Sequence, residues 1–296
     1  MNNQADILRV MAQRMKSDLK TQILGQDQNK TRVITVCSGK GGVGKSNFVV
    51  NLGIALAGYG QRVILLDADL GLANLDVLLG IVPSYNLAHV MAGEKTLSEI
   101  LYEGPNGIKI LPGGTGMHEL TDLTEWQLET FLAKLSKMEG AAEYLLIDTG
   151  AGLSKTVLSF TLAADEIIVI TTVEPTAITD AYGLIKTIRQ KRYQGKINIV
   201  VNRVASEAEA LVVYNKLKIV INRFLKHSID YLGCLREDPK VGKSVQEQQP
   251  FFLAYPNSIA AHDINTMAAK ISNQADQQVQ NKGIKIFLTK VAEYFR

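Results

Sequence analysis

Residues 37–47 read CSGKGGVGKSN, and no other stretch restricts the fold so tightly. It holds the full pattern G-x-x-x-x-G-K-[ST], running from Gly39 to Ser46. Such a loop works between a strand and a helix. Its glycines let backbone N–H groups turn inward on phosphate oxygens, and the helix start adds a positive end. The flanks meet that demand: RVITVC from Arg32 reads as a buried strand and SNFVVNLGIALAGYG as a helix. Gly39, Gly41, Gly42, Val43, Gly44, Lys45, Ser46 and Asn47 are therefore the expected phosphate cradle. Lys45 should reach the β- and γ-phosphates, and Ser46 should offer its hydroxyl to Mg²⁺. The stretch also carries a second lysine, Lys40, which a phosphate loop does not need.

Five further apolar runs repeat the first: RVILLD from Arg62, IKILP from Ile108, YLLID from Tyr144, EIIVITT from Glu166 and INIVVN from Ile197. Near-continuous Val/Ile/Leu runs are strands buried on both faces. Alternating with helical patterns, they predict an α/β fold with a mostly parallel central sheet and helices on both faces. Ligands then sit at the carboxyl ends of the strands. With 296 residues, 46% of them apolar, the chain can bury a large core. A net charge of +3 is too weak to imply nucleic acid. Cys37 and Cys234 lie far apart without metal-site spacing, which favours a reducing, cytosolic setting. The first twenty residues lack the apolar block of a signal peptide, and no stretch is long and apolar enough to span a bilayer, so any membrane contact should be peripheral.

KGGVGKS resembles the deviant phosphate loop of the MinD/ParA family of P-loop ATPases. The resemblance covers about residues 30–270 and implies ATP with Mg²⁺, hydrolysed by a homodimer. It makes Lys40 a residue that crosses to the partner's nucleotide and offsets charge developing on the phosphates. In VILLDADLGLANLD, Asp67 and Asp69 are two apart on an extended segment and so share a side. The string is similar to the family's D-x-D-x-G-x-x-N-L-D switch, which implies that Asp69 positions the attacking water and Asp67 supports the Mg²⁺ shell. YLLIDTGAG supplies a second carboxylate, Asp148, to hold Mg²⁺ through water. By the same resemblance Asn202 and Arg203, in VVNRV, meet the adenine, with Glu237 and Asp238 in the loop that closes over it. Arg236 stands where the family often has proline.

The ends look separate from this core, giving an extension over 1–30, an ATPase domain over 31–271, a polar tether over 272–283 and a last helix over 284–296. On that helix Ile284, Phe287, Leu288, Val291 and Phe295 form one apolar stripe, with Lys285, Lys290 and Arg296 on the flank or opposite face. This suits an anionic membrane surface, and MinD-like proteins carry such a helix; the same stripe also suits a last helix packed on the sheet. The implied location is cytoplasmic, reversibly peripheral on the inner face of the cell membrane. NQADILR near the start resembles the activating motif of the flagellar FlhG branch through Gln4, Ala5, Leu8 and Arg9, with Asn3 in place of aspartate. It implies the GTPase FlhF and proteins of the flagellar switch complex as partners. Competing readings are a ParA-like DNA-segregating ATPase, a MinD-like division-site regulator and a metabolic P-loop enzyme. The basic stretch IKTIRQKRYQGK, with Lys186, Arg189, Lys191, Arg192 and Lys196, could meet nucleic acid or an acidic protein, or simply face solvent.

Overall fold

The structure, a computed structural model, describes residues 30–69, 74–113, 132–273 and 283–295. Eight strands form one sheet: β1 (Arg32–Ser38), β2 (Val63–Ala68), β3 (Tyr102–Glu103), β4 (Lys109–Leu111), β5 (Tyr144–Ala151), β6 (Glu166–Thr172), β7 (Lys196–Val204) and β8 (Asp230–Arg236). Their order is β3-β4-β2-β5-β1-β6-β7-β8. Only the short edge strand β3 runs antiparallel to its neighbour. The longer helices are α1 (Lys45–Gly58), α2 (Lys155–Ala163), α3 (Pro175–Gln190), α4 (Glu207–Leu225), α5 (Pro239–Gln246), α6 (Ile259–Ser272) and α7 (Ile284–Phe295).

Six strands coincide with the six apolar runs. β2 and β6 are buried at every position, as strands covered on both faces must be. β8 was not among those runs. Its DYLGCLR is short of branched residues, and Gly233 is needed because a Cβ there would lie 2.7 Å from Met267 of α6. Helix α1 is buried almost all round, with Phe48, Val49, Val50, Leu52, Ile54 and Leu56 inaccessible, because it lies between the sheet and α6.

β1 is central. Its successor β2 lies beyond β5 on one side, while β6 flanks it on the other. Chains leaving β1 and β5 therefore part in opposite directions and leave a crevice at the carboxyl end of β1. The phosphate loop occupies that crevice.

Of the two destinations the stripe suits, the last helix takes the packed one in this structure. Ile284, Phe287, Leu288 and Val291 are each at most 4% exposed. They pack on α2 and on Leu132, Leu135 and Met138, with the rings of Phe287 and Phe160 6.0 Å apart. The side chain of Phe295 lies outside the described residues. Glu139 holds the start of α7: its Oε2 accepts the N–H of Lys285 at 2.9 Å, and its Oε1 accepts the N–H of Thr31 at 3.0 Å. One carboxylate thus joins the first turn of the last helix to the residue preceding β1. The helix forms part of the body in this state. The polar tether lies outside the described residues over 274–282, and so do Gln4, Leu8 and Arg9.

Candidate functional site

The phosphate loop leaves β1 at Ser38 and needs glycine at particular places. Gly44, at φ +94°, caps α1, and a Cβ there would sit 2.4 Å from the amide nitrogen of Asn202. A Cβ at Gly39 would lie 2.4 Å from the backbone of Asp180. The first bond inside α1 runs from the N–H of Phe48 to Gly44 at 3.0 Å. The amides of Lys45, Ser46 and Asn47 are therefore unspent within the helix, and the helix dipole adds to them. Lys45 is buried, 8% exposed.

Asp148 is the partner of Val36 in β1 and of Asp67 in β2, so the sheet register places it beside the loop. Its side chain is inaccessible, and neither Oδ atom has a hydrogen-bond partner. Burial pushes its pKa up to about 7; the nearby Ser46 hydroxyl and Lys45 oppose this, and the charge of Asp67 reinforces it. Ser46 lies close enough to favour the anion without completing a hydrogen bond of ordinary geometry. A buried carboxylate with two orphaned oxygens next to a free hydroxyl is a donor set of hard oxygens. It fits Mg²⁺, which takes one or two protein oxygens and completes its shell with water and phosphate.

Asp67, the expected Mg²⁺ supporter, is bonded to the backbone around it. Its Oδ1 accepts the N–H of Asp69 at 3.1 Å, and its Oδ2 accepts those of Asn74 and Leu75 at 3.0 and 3.3 Å. Asn74 makes no side-chain cap for the short helix it opens, so Asp67 supplies that cap from the strand. Its carboxylate thus also holds the backbone that follows β2. Burial, as the largest cause, raises its pKa to about 6 against those N–H bonds. Asp69 reaches the crevice: a Cβ on Gly150 would lie 3.2 Å from its Oδ1. Strands β2 and β5 thus bring Asp69 next to the glycine that follows Asp148 and Thr149.

Lys40 is tied to the segment that runs from β6 into α3. Its Nζ lies 2.6 Å from Glu174 and 3.2 Å from the hydroxyl of Thr176, with its side chain 41% exposed. The ammonium holds the Glu174 carboxyl below its usual range. An exposed pair of this kind contributes little stability and can open at small cost. Neither Glu174 nor Thr176 was a sequence candidate; only their place at the carboxyl end of β6 could have suggested them.

The base-side residues depart further. The Asn202 amide donates to the carbonyl of Val43 at 2.7 Å, bracing the loop instead of standing open to a base. Arg203 takes a left-handed φ of +56°, and its N–H donates to the Asn202 Oδ1 at 2.8 Å. Asp238 caps α5 through the N–H of Lys240 at 2.9 Å, and Glu237 is exposed. Arg236, in the place of the expected proline, is clamped by Asp263, with its Nη2 2.6 Å away. The basic stretch splits: Lys186, Lys191 and Arg192 are exposed, but Arg189 is spent on the carbonyls of Tyr193, Gly195 and Ser228.

Residues 34–251 match the CobQ/CobB/MinD/ParA nucleotide binding domain. The antiactivator FleN of Pseudomonas aeruginosa is 40% identical over 242 residues, covering 82% of this chain and 86% of its own. The flagellum site-determining protein YlxH of Helicobacter pylori is 31% identical over 273 residues, covering 90% of this chain and 92% of its own. Among solved structures, the septum site-determining protein MinD complexed with Mg-ADP from Pyrococcus horikoshii superposes with a TM-score of 0.69 at 25% identity, covering 84% of this chain and 99% of that one. The loop, the orphaned carboxylate of Asp148 and these relatives agree: the chain is an ATPase using ATP and Mg²⁺, and it belongs to the CobQ/CobB/MinD/ParA family of nucleotide-binding domains.

Proposed function

We propose that this ATPase is a dimerising switch in the control of flagellar number and placement. The observation that carries the switch reading is Lys40. A lysine in the phosphate loop that pairs with Glu174 is spare to the loop's own pattern, which needs only Lys45. On the face of a second copy it would meet the partner's γ-phosphate, where an incoming cation stabilises charge in the transition state. Asp69 would orient the attacking water, and Asp148 with Ser46 would hold Mg²⁺. The flagellar role rests on the two relatives named for flagellar control, of which FleN is 40% identical against 30–33% for several MinD relatives. FlhF and proteins of the flagellar switch complex are the partners this reading implies.

Membrane attachment belongs to the same proposal. The stripe Ile284, Phe287, Leu288 and Val291 is buried, so it must leave its groove before it can meet lipid. Undocking exposes apolar surface at about 25 cal/mol per Å², and one short helix recovers little of that at a membrane interface. Two helices on one dimer bind far better than either alone. The ATP-bound dimer would therefore sit reversibly on the inner face of the cell membrane, and the single chain would not.

The test is mass in solution with a non-hydrolysable ATP analogue, followed by turnover of mixtures. Lys40→Ala should lose turnover. Mixing it with a nucleotide-binding-deficient Lys45→Ala chain should restore part of it if the lysine acts across chains. A wild-type chain that stays a monomer when saturated with the analogue overturns the proposal.

A further inference from the structure

We propose that Asn51 is a positioning residue: it fixes the polarity of the Asn47 side chain and so aims a carboxamide N–H pair at the phosphates of the bound nucleotide. The two ends of an asparagine amide have the same shape, and their partners decide which end is oxygen. Here one backbone group decides both residues. The N–H of Phe252, on a segment far along the chain, can only donate, and it lies 2.8 Å from the Asn51 side chain, whose near atom must be Oδ1. The opposite atom is then Nδ2. It lies 2.7 Å from the carbonyl oxygen of Asn47, which can only accept, and 2.8 Å from the Asn47 side chain. The Asn47 atom facing it must be Oδ1. The Asn47 Nδ2 is thereby turned away from Asn51.

Asn47 is the third residue of α1, half-buried in the turn where the unspent amides of Lys45, Ser46 and Asn47 converge. Two more N–H groups there meet phosphate oxygens well. The reverse orientation would present an oxygen to an anion. A hydroxyl at this position could rotate to suit its neighbour, whereas a carboxamide needs its polarity set from outside. Asn51 does this from a site only 1% exposed, without touching the nucleotide. The α- and β-phosphates that such a loop cradles are common to ATP and ADP. The contact should therefore strengthen both equally and leave the chemical step alone.

The experiment measures Mg²⁺-dependent binding of ADP and of a non-hydrolysable ATP analogue to the full chain, together with kcat and KM. Asn47→Ala and Asn51→Ala should each weaken both nucleotides about tenfold, the worth of a hydrogen bond to a charged acceptor. KM should rise and kcat should stay within about twofold. The double variant should be no weaker than Asn47→Ala, and in an Asn47→Thr background the Asn51→Ala change should lose its effect on binding. Full additivity of the two alanine variants, or Asn47→Ala binding like wild type, overturns the proposal. If Asn51→Ala does not fold, the comparison of Asn47→Ala with Asn47→Thr still decides: loss only with alanine supports it, and no loss overturns it.

Discussion

Asp148→Asn should make the metal-free protein more stable at alkaline pH while removing its Mg²⁺-dependent nucleotide affinity. The Asp148 carboxyl is inaccessible, without a hydrogen-bond partner, and raised from 3.8 to about 7. A raised folded pKa means that the folded state holds its proton longer than the unfolded state does. Stability is then lost as pH rises from the unfolded pKa towards the folded one, and the loss is complete above it. At 1.36 kcal/mol per pH unit, the penalty is on the order of 4 kcal/mol at pH 8, and the smaller part of it is already present at pH 5. Asparagine removes this pH-dependent part but leaves a buried amide poorly bonded, at a cost of about 1–3 kcal/mol. The variant should therefore be near neutral or slightly destabilised at pH 5 and gain on the order of 2–3 kcal/mol relative to wild type by pH 8. Urea unfolding in EDTA at both pH values measures the difference. A variant that loses the same stability at pH 5 and pH 8 would show that Asp148 is not a buried, charge-strained carboxylate, and the Mg²⁺ assignment would lose its structural basis.

Gly44→Ala must place a Cβ at φ +94° and 2.4 Å from Asn202. It should abolish nucleotide binding and lower stability by about 1–3 kcal/mol, read by calorimetric titration and urea unfolding. Phe287→Ala removes a ring that is 1% exposed and packs on Phe160. It should cost up to about 3–5 kcal/mol, capped by the free energy of docking α7. Faster proteolysis within 274–282 reports helix detachment, and an unchanged cleavage rate would mean that the helix is not docked. Glu139→Ala leaves the N–H groups of Lys285 and Thr31 without their acceptor and should loosen the same helix by about 1–3 kcal/mol, visible as faster amide exchange in its first turn.

The strands and the phosphate loop were readable because each rests on a local cause. A run such as EIIVITT carries four consecutive branched apolar residues because both sheet faces are covered, and glycines with positive φ stand where the loop must turn inward. Asp148 was readable for the same reason, as the first charge after an apolar run. Roles set by tertiary partners were not. Asp67 and Asp69 look alike in D-x-D, yet three backbone N–H groups claim the first. Asn51 looks like any helical asparagine until Phe252, 201 residues away, gives it a partner. β8 was missed because its packing depends on a glycine that admits Met267, which no hydrophobic period reveals.

The last helix shows a different limit. An amphipathic stripe records only that one face prefers to leave water, and a protein groove and a lipid surface reward the same residues. The sequence therefore cannot rank the two destinations, and the structure supplies one of the two free energies. Its groove is built from α2 and from 132–138, and its first turn is fastened by Glu139, which also holds the residue where the 1–30 extension joins β1. A helix held this way is released only by something worth more than its packing. Weakening the groove from the protein side, as Phe160→Ala would, leaves the stripe itself intact. This variant should raise binding of the single chain to anionic vesicles in co-sedimentation, whereas Phe287→Ala should not, because it weakens both destinations together. Equal vesicle binding by the Phe160 variant and wild type would separate docking from membrane attachment and return the stripe to a purely structural role.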